Sequence, residues 1–111
     1  MTYDLRVTPA RPVDVDAVRA LLRAVEGVEE LGDELVWSGT AVTASFLLDP
    51  REIGIGVTSD DAPTDVLRGE FREVLDIASR VASLAQASLY DVQLGRALGP
   101  RDEEAVKDFA G

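Results

Sequence analysis

Cysteine and histidine are both absent from this chain of 111 residues. Without cysteine there is no disulfide, no thiolate nucleophile, and no zinc or iron–sulfur centre held by the chain's own thiolates. Without histidine, the commonest general base and transition-metal ligand is missing, together with every Ser/His and Cys/His catalytic pair. We therefore expect no metal, no cofactor and no catalytic residue, although a carboxylate, a tyrosine or an arginine could still move a proton.

Long apolar runs and positive charge are also scarce. No window approaches the roughly 18 apolar residues that span a bilayer, so we expect a cytoplasmic protein. The 21 acidic and 11 basic residues give a net charge of −10, which repels nucleic-acid phosphates and anionic membrane surfaces. We expect neither as a partner. A protein partner would be basic, and the alternative explanation of the acidity is that it keeps a small protein soluble.

The hydrophobic content of 46% is enough for one core in a chain of this length. We predict a single domain over residues 1–99, followed by a short helix or a mobile tail over residues 100–111. Alternating apolar residues predict strands at 3–8, 40–48, 53–57 and 89–94, and helical spacing predicts helices at 13–25 and 67–85. Residues 35–38 are predicted as an irregular lead-in or a bulged extension that carries Trp37.

The resulting order, β-α-β-β-α-β, predicts a ferredoxin-like α+β fold. In that fold both helices cover one face of a four-stranded antiparallel sheet, and the other face is open to solvent or to a partner. In the last strand, the alternation places Tyr90, Val92 and Leu94 under the helices. The candidate binding residues that we assign to the open face are Arg6, Thr43, Ser45, Gly54, Gly56, Asp91 and Gln93.

Two features of this predicted face each have two interpretations. Gly54 and Gly56 either form the floor of a shallow groove or mark a twisted or bulged strand. Arg6 either forms a cross-strand ion pair with its acidic neighbours Asp4 and Asp91 or offers its guanidinium to a carboxylate or phosphate of a ligand. The acidic stretches 29–34 and 59–61 lack the spacing of a calcium loop, so we interpret them as solvated loops.

The segment Leu89-Tyr90-Asp91-Val92-Gln93 resembles the closing Tyr-Asp-Pro-Gln strand of small bacterial ferredoxin-like proteins of unknown function, some of them of the immunity type. Val92 stands where those proteins have proline. The resemblance covers about the last third of the chain. It implies a protein that is not an enzyme and that, in some relatives, neutralises a toxin by binding it.

From the residues we expect a small acidic binding module without catalysis, which acts through its open sheet face or its acidic loops. The alternative is a small-molecule sensor or a cofactor-independent enzyme built as a dimeric α+β barrel, on fold-level analogy alone. Leu47 and Leu89 are expected on the open face, which favours stacking of two copies as a homodimer; the alternatives are that residues 35–39 or the C-terminal tail cover this face.

Overall fold

Strands and helices follow one another in an α+β arrangement in the computed structural model, which describes residues 2–100 and 102–110. One antiparallel sheet contains seven strands in the order β2-β3-β4-β5-β1-β6-β7. The elements in chain order are β1 (Thr2–Val7), α1 (Val15–Arg23), β2 (Val28–Leu31), β3 (Glu34–Ser38), β4 (Val42–Leu48), β5 (Ile53–Ser59), α2 (Thr64–Leu84), β6 (Leu89–Asp91), β7 (Arg96–Leu98) and α3 (Glu103–Ala110).

The predicted four-stranded ferredoxin-like fold is wrong. The four predicted strands are central neighbours in the order β4-β5-β1-β6, but the sheet continues past both ends of that set, and a third helix is present. The hairpin β2–β3 extends the sheet beyond β4, with Gly32 at φ +61° in its two-residue turn. Strand β7 extends it beyond β6, after a turn in which Gly95 has φ +67°. Both additions depend on glycine turns that allow the chain to reverse within a few residues.

The core lies between one face of the sheet and the helices, because alternate residues of each strand point to that side. The largest fully buried side chains include Tyr3, Phe46, Phe71 and Phe109. Phe71 of α2 stacks on Phe109 of α3 with ring centroids 4.3 Å apart, and the Tyr3 ring of β1 meets both rings edge-on at 5.3 and 5.7 Å. This aromatic cluster fixes α3 against α2 and the sheet.

A carboxylate from α2 fixes the loop that precedes β4. Glu70 accepts hydrogen bonds from the backbone N–H groups of Thr40, Ala41 and Val42 and from the Thr40 hydroxyl, at 2.8–2.9 Å. Burial by itself would raise the pKa of Glu70, but these hydrogen bonds stabilise the anion and lower its pKa from 4.5 to about 2. The loop is therefore held to α2 by an ionised carboxylate in a cradle of backbone N–H groups.

Helix α2 ends in a turn that places a non-glycine residue in the left-handed region. Gln86 has φ +53°, while the N–H of Ala87 donates to the carbonyl of Ala82 at 2.9 Å and that of Gln86 donates to Ser83 at 3.1 Å. These bonds form a Schellman-type end, in which glycine is the preferred residue at the left-handed position.

We expect Gln86→Gly to raise the free energy of unfolding by about 0.5–1 kcal/mol, because glycine adopts positive φ without the steric cost that Gln86 carries. Urea denaturation of the two proteins measures the difference. Gln86→Ala is the control, since alanine has the same Cβ and should bring no such gain. A loss of stability in Gln86→Gly would contradict this explanation.

Candidate functional site: the open sheet face

The sheet face opposite the helices is here called the open face, and its outward side chains lie in register across the strands. Three of these rows cross the middle of the sheet. They are Leu31, Glu34, Leu47, Gly54, Arg6 and Tyr90; then Glu29, Val36, Ser45, Gly56 and Asp4; and then Ser38, Thr43, Thr58 and Thr2. Five of the predicted site residues, Arg6, Thr43, Ser45, Gly54 and Gly56, thus share one surface.

Gly54 and Gly56 leave a trough along β5 in the middle of this face. A Cβ atom added to either glycine would meet nothing within 4 Å. Pairing of β5 with β4 and with β1 runs without interruption past both residues, so the pair does not mark a bulge. The structure thus excludes the bulge, and the groove floor stays a prediction beside the alternative of a twisted strand.

Apolar side chains stand on both sides of the trough. Three apolar side chains in the same row as Gly54 are largely exposed: Leu31 by 56%, Leu47 by 52% and Tyr90 by 43%. Large exposed apolar side chains gathered on one surface are typical of interaction sites, because water contact with them is unfavourable. Tyr90 adds a phenol that can pack against a partner and hydrogen-bond to it.

The charge on the open face is mostly negative. Asp4, Glu29 and Glu34 point outward from β1, β2 and β3. The single arginine of the central strands, Arg6, lies with its Nε 2.6 Å from Oε1 of Glu52 in the loop before β5, both side chains being about half exposed. Arg6 does form an ion pair, but with Glu52 instead of the predicted Asp4 and Asp91. The face therefore presents a net negative potential to a partner.

Asp91 does not lie on the open face, and the predicted faces of the last strand are wrong. Asp91 is paired with Leu5 and Leu89 with Val7, so both point towards the helices, where Asp91 is fully buried and Leu89 is 2% exposed. Tyr90 and Val92, predicted to be buried, are 43% and 40% exposed. Alternation does hold within β6, but its phase was assigned with Val92 and Leu94, which lie in the turn at residues 92–95 and do not follow the period of a strand.

The buried Asp91 carboxylate is an anchor for this turn. It accepts hydrogen bonds from the Tyr3 hydroxyl, from the Leu94 backbone N–H at 2.9 Å and from the Gln93 side-chain amide at 3.4 Å. Burial, and then the hydrogen bond to Asp91, raises the pKa of Tyr3 above its ordinary value. Asp91 therefore acts within the core and is unavailable to a partner.

Gln93 also has a structural role. Its side-chain carbonyl accepts from the Asp4 backbone N–H at 2.5 Å, and its amide nitrogen donates to the Asp4 carbonyl at 2.8 Å. The side chain thus continues the pairing of β1 beyond the point where β6 ends. Although Gln93 is exposed in the turn between β6 and β7, its side-chain amide is occupied by the backbone of β1.

The acidic stretch 29–34, predicted as a solvated loop, forms most of the hairpin β2–β3 instead. Glu30, from the acidic stretch 29–34, forms ion pairs with Arg19 and Arg23 of α1. Within residues 2–100 and 102–110, no group of three acidic side chains is arranged to hold a metal ion. Over the same part of the chain, every helix is too short or too polar to cross a membrane.

No protein-family model, no curated protein and no solved structure matches this chain. The class of molecule is therefore defined by its own geometry. It is an acidic α+β protein with helices on one sheet face and, among the described residues, a glycine-floored open face on the other.

Proposed function

We propose that the protein is a non-catalytic binding module that takes a basic protein segment on its open face. The observation that carries the proposal is the combination, on one uncovered surface, of an empty glycine trough, exposed apolar side chains and carboxylates that lie among them. In an interface the apolar side chains supply contact area, and the charged groups supply electrostatic complementarity.

The apolar residues would supply most of the affinity. Covering Leu31, Leu47 and Tyr90 removes apolar area from water at about 25 cal/mol per Å². The trough over Gly54 and Gly56 gives the partner's side chains room to approach the backbone of β5. A bulky partner side chain placed there would be flanked by Leu47 and Arg6.

Charge favours a basic partner over a second copy of the chain. Stacking two open faces would bring the carboxylates of Asp4, Glu29 and Glu34 close to those of the other copy, and like charges across an interface are unfavourable. Lysine or arginine residues of a partner would pair with the same carboxylates. The homodimer expected from the sequence stays a prediction, which the mass from light scattering tests independently.

The absence of catalysis is part of the proposal and is supported by how the titratable groups are used. The chain has no histidine or cysteine. Those carboxylates whose pKa values are clearly lowered are engaged with structural partners: Glu70 with its loop, Asp102 with Arg96, and Glu103 with Arg72. The dimeric-barrel alternative rested on analogy with the ferredoxin-like fold and loses its support with it. An immunity-type role and a cytoplasmic location stay predictions.

Filling the trough tests this proposal. We expect Gly56→Arg to weaken binding of a short amphipathic lysine–leucine peptide by about tenfold or more, because the new side chain occupies the trough and repels the basic probe. Isothermal titration calorimetry at low and moderate salt measures the effect. The matched control is Gly69→Arg on α2, which makes the same change of charge at an exposed glycine whose added Cβ also meets nothing within 4 Å.

We expect Gly69→Arg to bind within about twofold of the wild type, because its new charge lies on α2, away from the open face. Equal weakening in both variants would show that only the net charge matters, and the proposal would then be wrong. Unchanged binding in Gly56→Arg would also contradict it. Urea denaturation of both variants confirms that each is folded.

A further inference from the structure

A second concave surface lies on the helix side of the sheet, away from the open face. It is a cleft of about 600 Å³ between the end of α1, β3, α2 and the start of α3. Val25, Ile77 and Trp37 form its apolar lining, although Ile77 and Trp37 are only 5% and 4% exposed. A cavity of a few hundred Å³ with an apolar lining and a few polar groups is typical of sites for small molecules.

The two arginines of the cleft are held by carboxylates of the protein itself. Arg72 donates two hydrogen bonds to Glu103, from Nε at 3.1 Å and from an Nη at 2.9 Å. Arg80 binds Asp76 at 2.7 Å. An anionic ligand would have to compete with these carboxylates for the arginines.

The remaining two carboxylates of the cleft are Glu26, after α1, and Glu73, on α2. Both residues are exposed, and neither makes a hydrogen bond or an ion pair with another of the residues that the structure describes. Among the described residues that line the cleft, four carboxylates and two arginines leave a net charge of about −2, and Arg68 and Lys107 lie near enough to Glu103 to lower its pKa. Trp37 is 4% exposed, so only a small part of its indole reaches the cleft, and the two carboxylates are the groups that would attract a cation.

We infer that this cleft binds a small organic cation, an amine or guanidinium with a short apolar body. The apolar part of the ligand packs against Val25, Ile77 and Trp37, and its charged end lies between Glu26 and Glu73. This site is separate from the open face, so it gives the protein a second binding function that does not depend on the first.

Trp37 is the single tryptophan of the chain, so its fluorescence reports on the cleft directly. The probes are hexylammonium, hexan-1-ol and hexanoate, which share an alkyl chain and differ in charge. We expect a saturable change of Trp37 emission with hexylammonium, a response about fivefold weaker or more with the alcohol, and none with hexanoate. Equal responses to all three probes, or no saturable response to hexylammonium, would overturn the proposal.

Charge-removing variants locate the cation. The double variant Glu26→Gln with Glu73→Gln is expected to weaken hexylammonium binding about fivefold or more, because it removes the two carboxylates that would pair with the ammonium group. Glu29→Gln, which removes one carboxylate from the open face, is expected to bind as the wild type does. An unchanged affinity in the double variant would overturn the site. The trough-filling variant Gly56→Arg should keep its hexylammonium response, which separates failure of this site from failure of the open-face proposal.

Discussion

Asp91→Ala is expected to lower the free energy of unfolding by about 3–5 kcal/mol, because it leaves the Tyr3 hydroxyl and the Leu94 N–H without a partner and opens a cavity. Asp91 is fully buried, and these two donors reach it from β1 and from the β6–β7 turn. The loss would be large for one polar residue because an unpaired buried donor keeps its full desolvation cost. Urea denaturation followed by circular dichroism measures it.

Variants of the same contact make the result specific. Asp91→Asn keeps one oxygen for the Leu94 N–H and should lose about 1–3 kcal/mol, while Asp4→Asn on the exposed side of β1 should stay within about 0.5 kcal/mol of the wild type. A double-mutant cycle of Tyr3→Phe and Asp91→Asn should show coupling, because the two side chains share a hydrogen bond. An Asp91→Ala protein as stable as the wild type would refute the claim that Asp91 anchors the β6–β7 turn.

Gly39→Ala is expected to lower the free energy of unfolding by about 2–4 kcal/mol, since it forces the Glu70 carboxylate out of its cradle of N–H groups. A Cβ at this glycine would lie 2.5 Å from Oε1 of Glu70 and 2.7 Å from its Oε2. Gly69→Ala on α2 is the matched control and should stabilise the protein by about 0.5–1 kcal/mol, because alanine is the better helix former. Guanidinium denaturation of both variants gives the comparison, and equal effects would contradict the steric explanation.

The hydrogen bonds between the Glu70 carboxylate and its loop also predict that the free energy of unfolding depends on pH in acid. The pKa of Glu70 is lowered from 4.5 to about 2 in the folded state, so its contribution is present above about pH 4.5 and is lost as the pH falls towards 2. The pKa of Asp102 is lowered to about 2 by Arg96 in the same range, so the test is the difference between the wild type and Glu70→Gln. That difference in unfolding free energy should shrink below pH 4.5, and a constant difference would contradict the prediction.

The strands and helices with a regular apolar pattern could be predicted from the sequence. Alternation identified β1, β4 and β5, and helical spacing identified α2, whose inward residues include Phe71 and Val74. Strand β2 reads Val-Glu-Glu-Leu and lacks that pattern, because it lies at the edge of the sheet and three of its residues are exposed. The Gly32-Asp33 pair between Leu31 and Glu34 was the available signal of a hairpin.

The candidate site could be predicted where its strands were regular. The outward placement of Arg6, Thr43 and Gly56 follows from period-two alternation in β1, β4 and β5. Tyr90 was missed and Asp91 misplaced because the phase of the alternation was assigned with Val92 and Leu94 of the following turn, and because an aspartate is expected to be exposed unless it has buried partners. The partner that matters most is Tyr3, 88 residues away in the sequence. Local pattern carries no information about such a contact.

Backbone amide chemical shifts during titration with the lysine–leucine peptide test the central claim most directly, because they show which surface the basic probe contacts. We expect the largest changes at Ser45, Gly54, Gly56 and Tyr90, with small changes along α2. Added acidic peptide of the same length should leave these resonances where they are. Shifts concentrated on α2 and α3, with the open face unchanged, would contradict the claim that the open face is the binding surface.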